Sequence, residues 1–124
     1  MIAHPERNLI RVTLSGFFDP AAFAGFDEAR RTAHRKLRCP RNGHDTLVDV
    51  RDLKLQPQDI VEAARVMIAD RRTRARRLAF VTGDAAIRMQ VRRLLNRPGI
   101  RYFADLATAE TWLAQPVQGY ALAG

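Results

Sequence analysis

Leu78-Ala79-Phe80-Val81-Thr82-Gly83-Asp84 is an unbroken apolar run closed by turn chemistry. Such a run, without polar alternation, is the pattern of a strand buried on both faces, as in a parallel sheet. Gly83 suits the turn. Asp84 is placed to accept from the free N–H groups of a following helix. Ile87, Val91, Leu94 and Leu95 then recur at helical spacing. Asn96-Arg97-Pro98-Gly99 stops that helix, and Ile100-Arg101-Tyr102-Phe103 reads as a short strand. Strand, helix and strand in succession imply a largely parallel sheet covered by helices.

The same grammar extends outward. Thr46-Leu47-Val48-Asp49-Val50-Arg51 reads as an interior strand. Pro57 opens a helix whose stripe is Ile60, Val61, Ala64, Met67 and Ile68, running out in Arg71 to Arg77. Upstream, Leu9 to Ser15 alternates: Ile10, Val12 and Leu14 share one face, Arg11 and Thr13 the other. This predicts a half-buried strand stopped by Gly16. Asp19-Pro20 is a cap followed by a proline set for the first helical turn. Phe23, Phe26, Ala29, Ala33 and Leu37 form the stripe of that helix, which must end before Pro40. Arg41-Asn42-Gly43-His44 is a loop. Met1 to His4 is read as a short strand pairing with Leu9 to Ser15, turned by Pro5 to Asn8. At the other end Thr108 caps a final helix with Ala109, Trp112 and Leu113 facing inward, stopped by Pro116. The expected fold is α/β: one domain over residues 1–115, a mixed sheet of four or five strands and four helices. Residues 116–124 are expected to be a loosely ordered tail.

A chain of 124 residues fits one domain and can bury a core without metals or disulfides. The single cysteine, Cys39, cannot form an internal bridge, which suits a reducing cytoplasm. The opening residues lack the pattern of a signal peptide, and no apolar run approaches the roughly 18 residues of a membrane span. The net charge of +8 favours an anionic partner. Almost all of it is arginine, with Lys36 and Lys54 the only lysines, and a GC-rich genome produces the same bias.

No constellation carries catalysis. Ser15, the only serine, has no glycine elbow around it. His34, Cys39 and His44 lack the paired spacing and the fourth ligand of a zinc site, and His34 falls on the polar side of its helix. Asp49 and Asp52 flank Arg51 at a strand end, where ligands gather in open sheets, but neighbouring cations make them ion-pair or capping carboxylates. Thr82-Gly83-Asp84 lacks the repeated glycines of a phosphate loop. No catalytic residue, metal site or cofactor is expected.

Two features fit binding. Arg71, Arg72, Arg74, Arg76 and Arg77 lie within seven residues, and Arg88 and Arg92 extend them into a candidate anion or partner patch. The bland alternative is a solvated basic linker at a helix end. Phe17, Phe23, Phe26, Met67 and Trp112 are the candidate walls of an apolar cleft. Core packing is the bland alternative for each.

The succession from Leu14-Ser15-Gly16, through Leu47-Val48-Asp49-Val50-Arg51 and Leu78 to Thr82, to Ala109-Glu110-Thr111-Trp112-Leu113 resembles the SpoIIAA-like group of the STAS domains, the sulfate-transporter and anti-sigma-factor-antagonist family. The likeness covers about Leu9 to Leu113. It implies a mixed sheet with helices packed on it and no catalysis. It also implies a phosphorylatable serine at the start of the helix after the central strand. Leu53 to Asp59 contains neither serine nor threonine, so that switch is not expected here.

The leading expectation is a non-enzymatic STAS-like module that engages an acidic protein partner. The alternative is a binder of an apolar or amphiphilic ligand, or of an anionic membrane surface. A lined tunnel would favour this second reading and a solid core would sink it. Nucleic acid fits the charge but finds no reader motif and few stacking aromatics. Self-association as a homodimer, through a helix or an edge strand, is open to a domain of this kind.

Overall fold

The computed structural model describes residues 1–95 and 97–117. Five strands lie side by side in chain order: β1 (Ile2–His4), β2 (Leu9–Gly16), β3 (Asp45–Leu53), β4 (Arg77–Val81) and β5 (Ile100–Phe103). β1 runs antiparallel to β2, with Ala3 opposite Ile10. The other neighbours are parallel. Four helices complete an α/β domain: α1 (Pro20–Arg35), α2 (Gln58–Ile68), α3 (Ala85–Leu94) and α4 (Leu106–Ala114).

Aspartate starts three of the helices. Asp19 accepts from the Ala22 N–H at 2.7 Å, Asp84 from Ala86 at 2.6 Å and Asp105 from Thr108 at 2.8 Å. The last corrects an expectation. Thr108 is not the cap; its N–H and hydroxyl both donate to Asp105, so α4 begins earlier. β3 is also longer than its β-branched run, because Asp45 joins the ladder opposite Arg77.

The sequential strand order decides the layers. When each parallel strand is added on the same side of the last, right-handed crossovers put every connecting helix on one face. α1, α2 and α3 accordingly share a face. There Ile10, Val12, Val48, Val50, Leu78 and Phe80 meet Ala33, Ile87 and Val91. α4 alone covers the opposite face, seating Ala109 and Leu113 on Leu9, Leu47, Ala79 and Val81. This is why β4, covered on both sides, is buried at every position, while β2 alternates and leaves Thr13 and Ser15 exposed. Ala29, expected inward, lies exposed beside Met1 and Ile2, where α1 overhangs the sheet edge.

Two left-handed asparagines shape the connections, Asn8 at φ 51° and Asn42 at φ 61°. Asparagine tolerates this region better than other non-glycine residues. Gly99, at φ +86°, is a stricter case: a Cβ there would stand 2.6 Å from the Arg76 carbonyl oxygen. Among the described residues no helix is long and apolar enough to cross a membrane. Of the expected tail, Pro116 and Val117 carry no regular structure, and 118–124 lie outside the described residues.

Candidate ligand cavity

Between the sheet and the layer of α1, α2 and α3 is a cavity of about 200 Å³. Val12, Val48 and Phe80 form its floor. Phe23 and Phe26 of α1, Ala64 and Met67 of α2, and Val91 and Leu94 of α3 enclose it from above. Protein cores are close-packed and leave few voids larger than a water. A dry apolar cavity of about 150 Å³ already holds benzene, whereas drug-sized ligands need about 300 Å³ or more. The volume therefore fits a short acyl chain or a small aromatic molecule. Phe26 receives Phe18 and Phe23 edge-on at 6.2 and 6.0 Å, an arrangement that stiffens this wall.

At the carboxyl ends of β2 and β3 the cavity is closed by a clasp of amides. The Gln56 side-chain oxygen accepts from the Phe18 N–H at 2.9 Å. Its nitrogen donates to the carbonyls of Gly16 and Lys54, at 3.0 and 2.6 Å. The Gln56 N–H donates to the side chain of Gln90 at 3.1 Å, and Gln90 returns a bond to the Gln56 carbonyl at 3.3 Å. One residue, through its side chain and its backbone, thus ties the β2–α1 loop, the β3–α2 loop and α3 together. Phe17, Leu55 and Met89, each one residue before a member of this trio, are exposed.

The opposite end is polar. Arg30 donates to Asp27 and, at 2.7 Å, to the Thr73 hydroxyl. His34 contacts the Thr73 carbonyl through Nε2 at 3.0 Å and meets His44 edge-on, ring centres 4.4 Å apart. Asn42 fastens the segment before β4 by donating to the carbonyls of Arg71 and Arg74. Arg74 and Arg97 line the same end, and the Nε of each is buried without a partner among the described residues.

His44 is 2% exposed. Burial, with the neighbouring His34 and Arg76 outweighing Asp45, lowers its pKa to about 4. Burial likewise lowers His34. The unfolded chain therefore binds more protons than the fold below the ordinary histidine range, so stability falls as pH drops from about 6.5 towards 4. His44 alone is expected to remove about 2 kcal/mol between pH 7 and pH 5, with His34 adding in the same direction. Urea unfolding at the two pH values measures this. The loss should shrink by that amount in His44→Gln, and an unchanged loss would contradict the assignment.

The structure sorts the candidate residues. Phe23, Phe26 and Met67 are on the cavity wall. Phe17 is not: it is 71% exposed, because Phe18 takes the inward place at the turn into α1. Trp112 is not either, since it lies on the α4 face against Phe103, with Arg77 and Arg101 over its ring. The arginine patch is also revised. Arg77 is 7% exposed and holds Asp45 in a two-bond pair, so its charge is not on the surface. Arg76 also bonds Asp45. Arg74 lines the cavity. Arg71, Arg72, Arg88 and Arg92 remain exposed, with Arg72 paired to Asp70, Arg88 bonded to the Thr82 hydroxyl and Arg92 over the Tyr102 ring.

His34 does not face solvent as its helix position suggested, but points to the cavity end and His44. No three metal-ligating side chains come together among the described residues, and Cys39 stands free. Asp49 is held by Arg51, which donates to both its oxygens and keeps the carboxyl below its ordinary pKa. Asp84 caps α3. Gln56 and Gln90 went unnoticed in the sequence; a glutamine between a strand and Pro57 has no signature apart from the partners it finds.

No protein-family model matches this chain, and a search of curated proteins finds no similar sequence.

Proposed function

We propose that this protein is a non-enzymatic binder of a small apolar or amphiphilic molecule, held between the sheet and α1–α3. The single observation behind this reading is the apolar cavity of about 200 Å³, with aromatic and aliphatic walls and closed by the Gln56 clasp at one end. The succession of elements supports a STAS-like type for the fold, with Gln56 in the stretch where switching members carry serine. In place of a phosphorylatable hydroxyl there is an amide clasp. An acidic protein partner has less support than the charge suggested, since Arg77 is buried and Arg74 is turned inward.

Octanol is a suitable probe, being apolar and uncharged. Isothermal titration should show it binding the purified protein. Ala64→Phe, which fills the space under α2, is expected to lower that affinity at least tenfold while the far-UV circular dichroism is unchanged. Equal affinity in both proteins would place octanol outside the cavity. No binding to either would remove the basis for the proposal.

A further inference from the structure

Three carboxylates and seven arginines lie at or near the polar end of the cavity. The pairing among them is uneven. Asp27 is taken up by Arg30 and Arg31, and Asp70 by Arg72. Asp45 is taken up by Arg76 and Arg77, on the far side of His44. Arg74 and Arg97 have no carboxylate partner among the described residues. Both line the cavity, and each has an Nε sealed from solvent with nothing to donate to. Arg97 spends one bond on the Ala75 carbonyl, at 3.2 Å. Its charge is disfavoured by burial and by Arg74 beside it. Two like charges held together, half-buried and with idle donors, are costly unless an anion sits with them.

We propose that Arg74 and Arg97 receive the carboxylate of a medium-chain fatty acid whose alkyl chain fills the cavity. This rests on the apolar-ligand reading and adds the head group to it. A guanidinium fork matches the two oxygens of a carboxylate, and the pairing is strongest where water is thin. The planar fork suits the sealed Nε atoms, each of which lacks an acceptor. Asp70, which also lines this end, favours a monoanion over a doubly charged phosphate. His34 and His44, held largely neutral by burial at pH 7, add no charge of their own there.

The positions of the two arginines are built rather than accidental. Asn42 clamps the Arg74 carbonyl at 2.7 Å from a left-handed turn, and Arg97 is tied to the strand-leading segment through Ala75. Neither side chain is needed to close the apolar core, which is formed by the sheet and the helical stripes.

The test compares octanoate, octanol and octyl phosphate at pH 7 by isothermal titration, on the wild type, Arg74→Gln and Arg97→Gln. In the wild type octanoate should bind at least tenfold more tightly than octanol, and more tightly than octyl phosphate. In each variant that advantage should fall at least fivefold while octanol affinity stays the same, which also shows that the cavity has survived the substitution. Octanol binding without any octanoate advantage overturns the head-group assignment and leaves the apolar reading standing. Tighter binding of octyl phosphate overturns the carboxylate. Failure of all three probes overturns both readings together.

Discussion

Asp45→Ala is expected to destabilise the fold by about 3–5 kcal/mol, which is a large share of the roughly 5–15 kcal/mol that holds a domain together. Asp45 is 3% exposed and Arg77 7%. The carboxylate takes two bonds from Arg77, at 3.1 and 2.8 Å, and two from Arg76, at 3.1 and 3.4 Å. Arg77 turns its remaining donors to the end of α4, bonding the carbonyls of Gln115 at 2.8 Å and Leu113 at 3.1 Å. Those carbonyls have no partner within their helix, so the guanidinium completes them and meets the negative end of the helix dipole. Removing Asp45 leaves a charge stranded under α4. Asp45→Leu combined with Arg77→Met removes both charges and should recover part of the loss, though not all, because α4 then loses its terminal donors. Urea midpoints of the single and double variants decide the matter. A double variant no more stable than Asp45→Ala would mean that the stranded charge is not the cause.

Gln56→Ala should cost about 1–3 kcal/mol, chiefly by leaving the Phe18 N–H without its acceptor, while the Gly16 carbonyl keeps the Lys54 N–H as a donor. The effect should be local as well as global. Hydrogen exchange at the Phe18 amide is expected to rise more than at β4, and octanol should dissociate faster because the clasp closes that end of the cavity. Gln56→Glu separates the two halves of the clasp. It keeps an acceptor for Phe18 but presents oxygen to the carbonyls of Gly16 and Lys54, so it should not rescue stability. If Gln56→Ala unfolds at the wild-type urea concentration, the clasp is a consequence of packing rather than a support for it.

The legibility of the sequence had a clear boundary. Periodicity marked Leu9 to Ser15 as half-buried and Leu78 to Thr82 as fully buried, because burial on one face or two writes itself directly into residue order. Helix starts at Asp19 and Asp84 were equally plain, since a cap bonds to groups only two or three residues away. Pairings between distant residues left no such trace. Arg77 looked like one of five surface arginines, and only the register that sets it against Asp45 shows that it is buried. Trp112 and Phe23 were both good candidates for a cleft. Which face each occupies depends on which side of the sheet α1 and α4 cover, a property of topology that no local pattern records. His34 was misplaced for a related reason. Its helix is apolar on a narrow stripe, and a histidine beside that stripe can turn either way until His44 is in place.

The strand order has a bearing on how the chain assembles. Each parallel strand docks on the one made just before it, so the sheet can grow from β2 to β5 without waiting for a distant segment. Short-range closures of this kind favour rapid folding. α4 is the exception. It comes last and crosses to the bare face, and until it arrives Arg77 has Asp45 but none of the carbonyls it serves in the finished protein. During synthesis from the N-terminus, this buried arginine is therefore satisfied in two stages, the second supplied by α4.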